Sequence, residues 1–548
     1  MLFGESPDPV PLYVVLPPRL TMKKMILLTL CLSWLIGLLC VQPSNLFASG
    51  LRPNIVVILA DDLGYGDVQC YNPERSKIPT PHMDRLALQG MRFTDAHSSS
   101  GVCSPSRYAL LTGRYHWRTR LQTGIITQWE RPLIAPGRMT IGTLAKQHGY
   151  RTAAVGKWHL GWNWPLMTEQ KNWMNADWNN AVVTEQHRQV WQEVFSKPIA
   201  SGPTTRGFDF YFGTDVPNWP PYCFINNDRT VGIPSEFLPP EKYVGSHREL
   251  AIPSVFVPHG NYVGGQGLAS RQGPALPNWQ FESILTALGD QAERFITESA
   301  AQSEPFLLYM PLTSPHTPLA PSEEWQGKSG LNHPVADLIM ETDAIVGRII
   351  NILEKTGQMN NTLIVFTSDN GFESRVNITG LEKQGHFPSG PLREYKTSVY
   401  EGGHRIPFIV CWHGVVKPNT VNHQLVHQAD LMATFAEVLG STLPADAGED
   451  SFSILPLLQG EDRAIREHAV SCAAQGIPGV RLGSWKLIAK PQPELYNLSD
   501  DIGETKDLAA QFPERVEQIF TLYEKLVSDG RSTPGPKQKN DVNVPKRH

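Results

Sequence analysis

An unbroken apolar, largely β-branched run, Ile55-Val56-Val57-Ile58-Leu59, constrains this chain more than any other stretch. A strand with no polar face must be covered on both sides, and that is the setting of a parallel sheet between helices. The run ends on Asp61-Asp62-Leu63-Gly64. Two acids at the carboxyl end of such a strand lie where open α/β sheets collect ligands. The pattern recurs. Arg151 to Val155 reads as a strand ending on Gly156-Lys157-Trp158-His159. Phe306 to Pro311 leads to Ser314-Pro315-His316, and Leu363 to Phe366 leads to Ser368-Asp369-Asn370-Gly371. Leu144 to His148 and Val335 to Lys355 read as helices between strands. Strands that deliver polar residues at their ends, with helices between them, define an α/β class.

Two other regions have a different texture. Residues 160–300 are rich in Trp, Pro, Asn and Gly and weak in periodicity, so they read as a loop-rich insertion at one edge of the core. Residues 441–530 read as a smaller C-terminal unit. Trp485 to Ile488 and Glu494 to Tyr496 are its short strands, and Phe512 to Val527 its helix. The polar residues 531–548 read as a disordered tail. The core unit then spans 49–440. At the other end, Met22-Lys23-Lys24 precedes the apolar run Met25 to Val41 and the small residues Ala48-Ser49. This order describes a secretory signal peptide over residues 1–48, with translation beginning at Met22, and predicts a secreted or periplasmic protein without a stable membrane anchor.

Composition narrows the function classes. The net charge is −5 with 18% charged residues and no Lys/Arg block, so nothing points to nucleic acid. Cys31 and Cys40 fall in the signal segment. Cys70, Cys103, Cys223, Cys411 and Cys472 remain, an odd set without a C-x-x-C pair, which indicates neither a disulfide framework nor a zinc site.

Cys103-Ser104-Pro105-Ser106-Arg107, followed by Leu110-Leu111-Thr112-Gly113-Arg114, resembles the signature of the formylglycine-dependent type I sulfatases. Gly149-Tyr150-Arg151-Thr152, continuing to Gly156-Lys157-Trp158-His159, resembles that family's second signature. Lys396, in Lys396-x-x-x-Tyr400-Glu401-Gly402-Gly403, is similar to a third landmark. The chemistry of the residues agrees. A sulfate monoester is an anion whose leaving alkoxide must be stabilised, which calls for cations and a metal. Arg107, Lys157 and Lys396 are the cations. Asp61, Asp62, Asp369 and Asn370 are oxygen donors at strand ends, suited to Ca²⁺ or Mg²⁺.

The resemblance implies an alkaline-phosphatase-like fold, with a large mixed sheet between helices and a small C-terminal antiparallel sheet. It implies that a maturation enzyme converts Cys103 to formylglycine and that a single calcium ion, rather than magnesium, is held by Asp61, Asp62, Asp369, Asn370 and the modified Cys103. A hydroxyl of the hydrated aldehyde attacks sulfur, and the second hydroxyl later expels sulfate. Arg107 holds this constellation, His159 assists the second deprotonation, and His316 protonates the leaving oxygen. Lys157, His316 and Lys396 bind the substrate. Ser106 and Thr112 resemble positions that orient the turn at the cysteine. His404 is a further candidate for substrate contact.

A sulfated carbohydrate is the expected substrate, leaning toward galactose or N-acetylgalactosamine 6-sulfate. Trp129, Trp162, Trp164, Trp173, Trp178, Trp191, Trp219 and Trp279 offer aromatic faces for sugar rings, and Asn226, Asn227 and Asp228 offer polar groups. Two alternatives stand beside this reading. One is a phosphodiester or phosphonate monoester hydrolase with a similar site. The other is a sulfated-glycan binding protein in which Cys103 stays unmodified.

Overall fold

The computed structural model describes residues 52–174, 182–238, 273–331 and 333–546. The expected signal segment and Trp178 lie outside the described residues. Among the described residues, no helix is long and apolar enough to cross a membrane.

The run that opens the sheet, β1 (Asn54–Asp61), is buried at every residue. The strands that join it are, in chain order, β2 (Met91–Phe93), β3 (Arg151–Lys157), β4 (Phe210–Thr214), β5 (Ile225–Asn226), β6 (Arg229–Thr230), β7 (Phe306–Pro315), β8 (Thr362–Ser368), β9 (Phe408–Cys411) and β10 (Thr420–Asn422). Together they form a ten-stranded sheet in the order β10-β2-β9-β8-β1-β7-β3-β4-β5-β6. The central strands β8, β1, β7, β3 and β4 run parallel, and the antiparallel pairings lie outside them. The expected mixed sheet is the observed one.

The side-chain period of two sends β1 into separate cores. Ile55, Val57 and Leu59 pack with Tyr108 and Leu111 of α1 (Cys103–Thr112). Val56, Ile58 and Ala60 pack with Leu288 and Phe295 of α2 (Ile284–Ala300) and with Ile345 and Ile349 of α3 (Pro334–Lys355). Burying each large side chain contributes roughly 1.5–3 kcal/mol, so the continuous apolar run is explained by cover on both faces. The parallel register also sets the site. Asp61 stands opposite Pro315, Ala60 opposite Ser368, and Lys157 opposite Thr214. The residues following these positions therefore leave the sheet on one rim.

A four-stranded antiparallel sheet follows, formed by β11 (His468–Cys472), β12 (Pro478–Leu482), β13 (Trp485–Ile488) and β14 (Glu494–Asn497), with α4 (Pro513–Asp529) against it. Val470, Val480, Leu487 and Leu495 pack with Ile519 and Tyr523 of α4 and with Tyr115 and Trp117 from the segment after α1.

Two expectations need correction. The stretch 160–300 is not only an edge insertion, because it contributes β4 to the main sheet and the 17-residue helix α2 to its cover. Five of its tryptophans are core residues. Trp162, Trp164, Trp191, Trp219 and Trp279 are all under 9% exposed, so they fill the space between short elements rather than line a surface for sugars. The tail is also packed. Arg114 and Arg118, both fully buried, need partners, and Asp541 and Asn540 accept hydrogen bonds from them at 3.1 and 3.0 Å. Val544 is buried in the C-terminal core.

Candidate active site

Cys103 is the first residue of α1, a helix buried at all ten positions. It therefore sits at the positive end of the helix dipole. The turn before it is tied by Ser106, whose hydroxyl donates to the carbonyls of Ser100 and Val102 at 2.9 and 3.0 Å. Thr112 closes the far end by donating to the Tyr108 carbonyl at 2.7 Å. Gly113 ends the helix at φ +64°, and a Cβ there would meet Met432 at 2.7 Å. Burial pushes the Cys103 thiol up to about 12, despite Lys157 and Lys396 nearby.

Three buried carboxylates face three buried cations. Lys157 Nζ donates to both oxygens of Asp61 at 2.9 and 2.7 Å. Lys396 Nζ donates to Asp62 Oδ2 at 2.6 Å. Arg107 donates to Asp369 Oδ2 through Nε and Nη2 at 3.0 and 2.8 Å, with Asp61 Oδ1 at 3.2 Å from Nη2. Its Nη1 donates to the Lys157 carbonyl at 2.9 Å. Burial alone would raise the Asp61 carboxyl, but Lys157, His316, Arg107 and Lys396 together hold it well below the usual range. Burial and then the Asp61 charge push Asp369 upward against the pull of Arg107. A divalent cation added to this balanced set would leave an excess of positive charge, which suits an anionic ester.

The donor set fits such a cation. Asp61, Asp62, Cys103 and His316 each offer a ligand atom, all within 4.8 Å of one another. Asp62 takes φ +67° and accepts from Asn370 Nδ2 at 2.8 Å, while Asp369 Oδ1 accepts from the Asp62 N–H at 3.1 Å. Asn370 Oδ1 is buried and has no partner among the described residues. An orphaned carbonyl oxygen beside three carboxylates is the chemistry of a hard cation. Gly371 permits the arrangement, since a Cβ there would fall 1.8 Å from the Gly402 carbonyl oxygen.

Two histidines border the cluster. His316 Nδ1 lies 2.6 Å from the Thr317 carbonyl, and Nε2 lies 3.8 Å from Asp62 Oδ2. Burial, then Lys157, lowers its pKa to about 4. His159, at φ +52°, places Nε2 3.0 Å from the Ile126 carbonyl, a pure acceptor, so the proton sits on Nε2 and Nδ1 keeps its lone pair. That Nδ1 is buried without a partner among the described residues.

The structure thus brings together Asp61, Asp62, Cys103, Arg107, Lys157, His159, His316, Asp369, Asn370 and Lys396. It does not bring His404. The His404 Nδ1 lies 3.0 Å from His97 Nδ1, and its Nε2 lies 2.9 Å from the Val399 carbonyl and 3.2 Å from Lys486 Nζ. Both ring nitrogens are committed to a buried network with Glu401, where Lys486 and Arg405 already compensate the carboxylate at 2.9 and 3.0 Å. Asn227 is a turn residue at φ +57° whose Oδ1 accepts from the Tyr211 N–H at 2.9 Å, a local structural role. Asp215 was not foreseen. Its Oδ1 accepts from the His159 N–H at 3.2 Å, and the only signal for it is its place directly after β4.

The sulfatase family model matches residues 53–441. An N-acetylgalactosamine-6-O-sulfatase of Bacteroides thetaiotaomicron is 33% identical over 507 residues, covering 87% of this chain and 93% of its own. Human arylsulfatase A is 29% identical over 523 residues, covering 89% and 90%. A structure solved in work on the metabolism of multiple glycosaminoglycans by Bacteroides thetaiotaomicron superposes with a TM-score of 0.71 at 32% identity, covering 87% of this chain and 99% of that one. The enzyme Ps i-CgsB in complex with k-i-k-neocarrahexaose superposes with a TM-score of 0.63 at 25% identity, covering 88% and 94%.

Proposed function

The chain belongs to the sulfatase family and is a sulfuric ester hydrolase, and we propose that it desulfates a carbohydrate bearing a galactose- or N-acetylgalactosamine-type 6-sulfate. The observation that carries this reading is Cys103 at the buried start of α1 among Lys157, Lys396 and Arg107. The substrate class is supported by the 33% identity to an N-acetylgalactosamine-6-O-sulfatase. We include in the proposal export through the signal segment 1–48 and conversion of Cys103 to formylglycine by a maturation enzyme.

In this reading Asp61, Asp62, Asp369 and Asn370, with the modified residue 103, would hold one calcium ion, which would supply Lewis-acid polarisation and charge neutralisation at the site. The other residues bind, orient and move protons. Lys157 and Lys396 take the sulfate oxygens, each exchanging part of its carboxylate contact for the ester's charge. Arg107 fixes Asp369 and Asp61 and keeps Lys157 in line through its carbonyl. His159 accepts a proton at Nδ1, because Ile126 holds the proton on Nε2. His316 gives a proton from Nε2 to the leaving oxygen. Its Nδ1 proton faces the Thr317 carbonyl, so Nε2 donates only from the doubly protonated ring, a form that burial and Lys157 disfavour by lowering the pKa to about 4 and that the negative charge of a bound ester favours.

The role of His316 predicts a split by leaving group. A His316→Asn variant is expected to lose about 10²- to 10⁴-fold in kcat on a sugar sulfate and far less on an aryl sulfate, whose phenolate leaves without a proton. Steady-state kinetics on the two esters checks this, and an equal loss on both removes His316 as the acid. The proposal as a whole is tested by sulfate release from a panel of sulfated mono- and oligosaccharides, using enzyme co-expressed with a maturation enzyme, stripped by chelation and reloaded with calcium or magnesium. Release from a 6-sulfated galactose-type sugar, restored best by calcium, supports it. Release from other regioisomers only, or a preference for matched phosphonate esters, overturns it.

A further inference from the structure

The segment Asp215–Trp219 leaves β4 beside Lys157, meets His159 and approaches Thr317, the residue after His316. Asp215 holds the His159 N–H at 3.2 Å. The Trp219 ring stands edge-on to the His159 ring at 5.7 Å. Asn218 Nδ2 lies 3.5 Å from Thr317 Oγ1, and the carbonyl of Thr317 in turn lies 2.6 Å from His316 Nδ1. The Tyr222 hydroxyl donates to the Asn218 carbonyl at 2.9 Å and fixes the segment. Asn218 is 9% exposed, and its Oδ1 is buried without a partner among the described residues.

A buried acceptor without a donor carries a cost that a folded protein retains for a reason. Asn218 Oδ1 can only accept, so it repels sulfate oxygens and selects a donor. Thr317, which the Asn218 amide approaches, directly follows His316, the histidine assigned above to the leaving oxygen. We propose that Asn218 is a specificity-determining residue whose Oδ1 accepts a hydrogen bond from the sugar hydroxyl flanking the leaving oxygen. Trp219, buried and edge-on to His159, holds the segment from the protein side. The inference rests on the carbohydrate reading above, which it deepens.

A double cycle of enzyme and substrate tests it. The kcat/KM values of wild type and Asn218→Ala are measured on the released sugar sulfate and on analogues in which each flanking hydroxyl is replaced by hydrogen. Wild type is expected to lose about 10- to 100-fold on one analogue. Asn218→Ala is expected to lose a similar factor on the parent sugar and no more than about threefold further on that analogue. Asn218→Leu, close in volume and without an acceptor, repeats the measurement if the alanine variant does not fold, and Asn218→Asp, which keeps an acceptor oxygen, should restore the penalty. A full penalty for the missing hydroxyl in both the Ala and Leu variants overturns the inference and leaves the carbohydrate reading intact. Failure of wild type on every sugar overturns both.

Discussion

Sulfate release by a Cys103→Ala variant is expected to fall at least about 10⁴-fold below that of the matured wild type, with the fold retained. Cys103 is 2% exposed and begins a helix whose positive end faces Lys157 and Lys396. These cations favour an anion at this position. Burial nevertheless holds the thiol up at about 12, so the unmodified side chain is neutral at pH 7 and a poor nucleophile. The activity therefore depends on what the cysteine becomes, and alanine cannot become it. The lost sulfur contact costs on the order of 1 kcal/mol of stability, so an unchanged cooperative unfolding transition will separate loss of chemistry from loss of fold. The remaining cations and histidines still bind and polarise the ester, and their residual catalysis sets the floor. Peptide mass spectrometry supplies the second readout. In active wild type the peptide holding residue 103 should have exchanged sulfur for oxygen with loss of two hydrogens. Retention of a tenth of the activity by Cys103→Ala would falsify the assignment.

The legible part of the fold was the part governed by period and burial. The run Ile55 to Leu59 has no polar face, and the structure covers both of its faces. Asp61, Asp62, Lys157, His159, His316, Asp369 and Asn370 were legible because they lie at the ends of strands of the parallel sheet, and a parallel register brings such positions to one rim, whereas Lys396, which follows no strand, was legible only from its resemblance to a family landmark. Other features depend on contacts distant in sequence. The strand β4 was hidden within a Trp- and Pro-rich stretch because its five residues are too short to show a period. Asp215 was hidden with it. The tryptophans read as a sugar platform because composition records an aromatic face but not what lies against it. His404 read as a substrate contact for a similar reason. It follows two glycines in the sequence, whereas its ring partners are His97 and Lys486, more than 80 residues away in each direction. The tail read as disordered from its polarity, yet that polarity is used by buried arginines.

Arg107→Gln is expected to lower kcat/KM by at least about 10³-fold and to destabilise the fold by about 3–5 kcal/mol. The guanidinium is fully buried and makes four contacts to three acceptors: two to Asp369 Oδ2, one to Asp61, and one to the carbonyl of Lys157. Glutamine removes the positive charge and leaves two buried carboxylates sharing the remaining cations, which is why breaking one partner of a buried ion pair costs more than the pair itself contributes. Arg107→Lys separates charge from geometry. It keeps the charge but offers one compact nitrogen in place of a planar fork, so it cannot reach Asp369, Asp61 and the Lys157 carbonyl together. Its stability is therefore expected to lie between the other two while its activity stays close to that of the glutamine variant, because Asp369 and Lys157 are no longer held in register. Urea unfolding midpoints and kcat/KM for the three proteins check the ordering. A lysine variant with wild-type activity would mean that Arg107 contributes charge alone, and a glutamine variant with a wild-type midpoint would mean that the carboxylates around it do not depend on its charge.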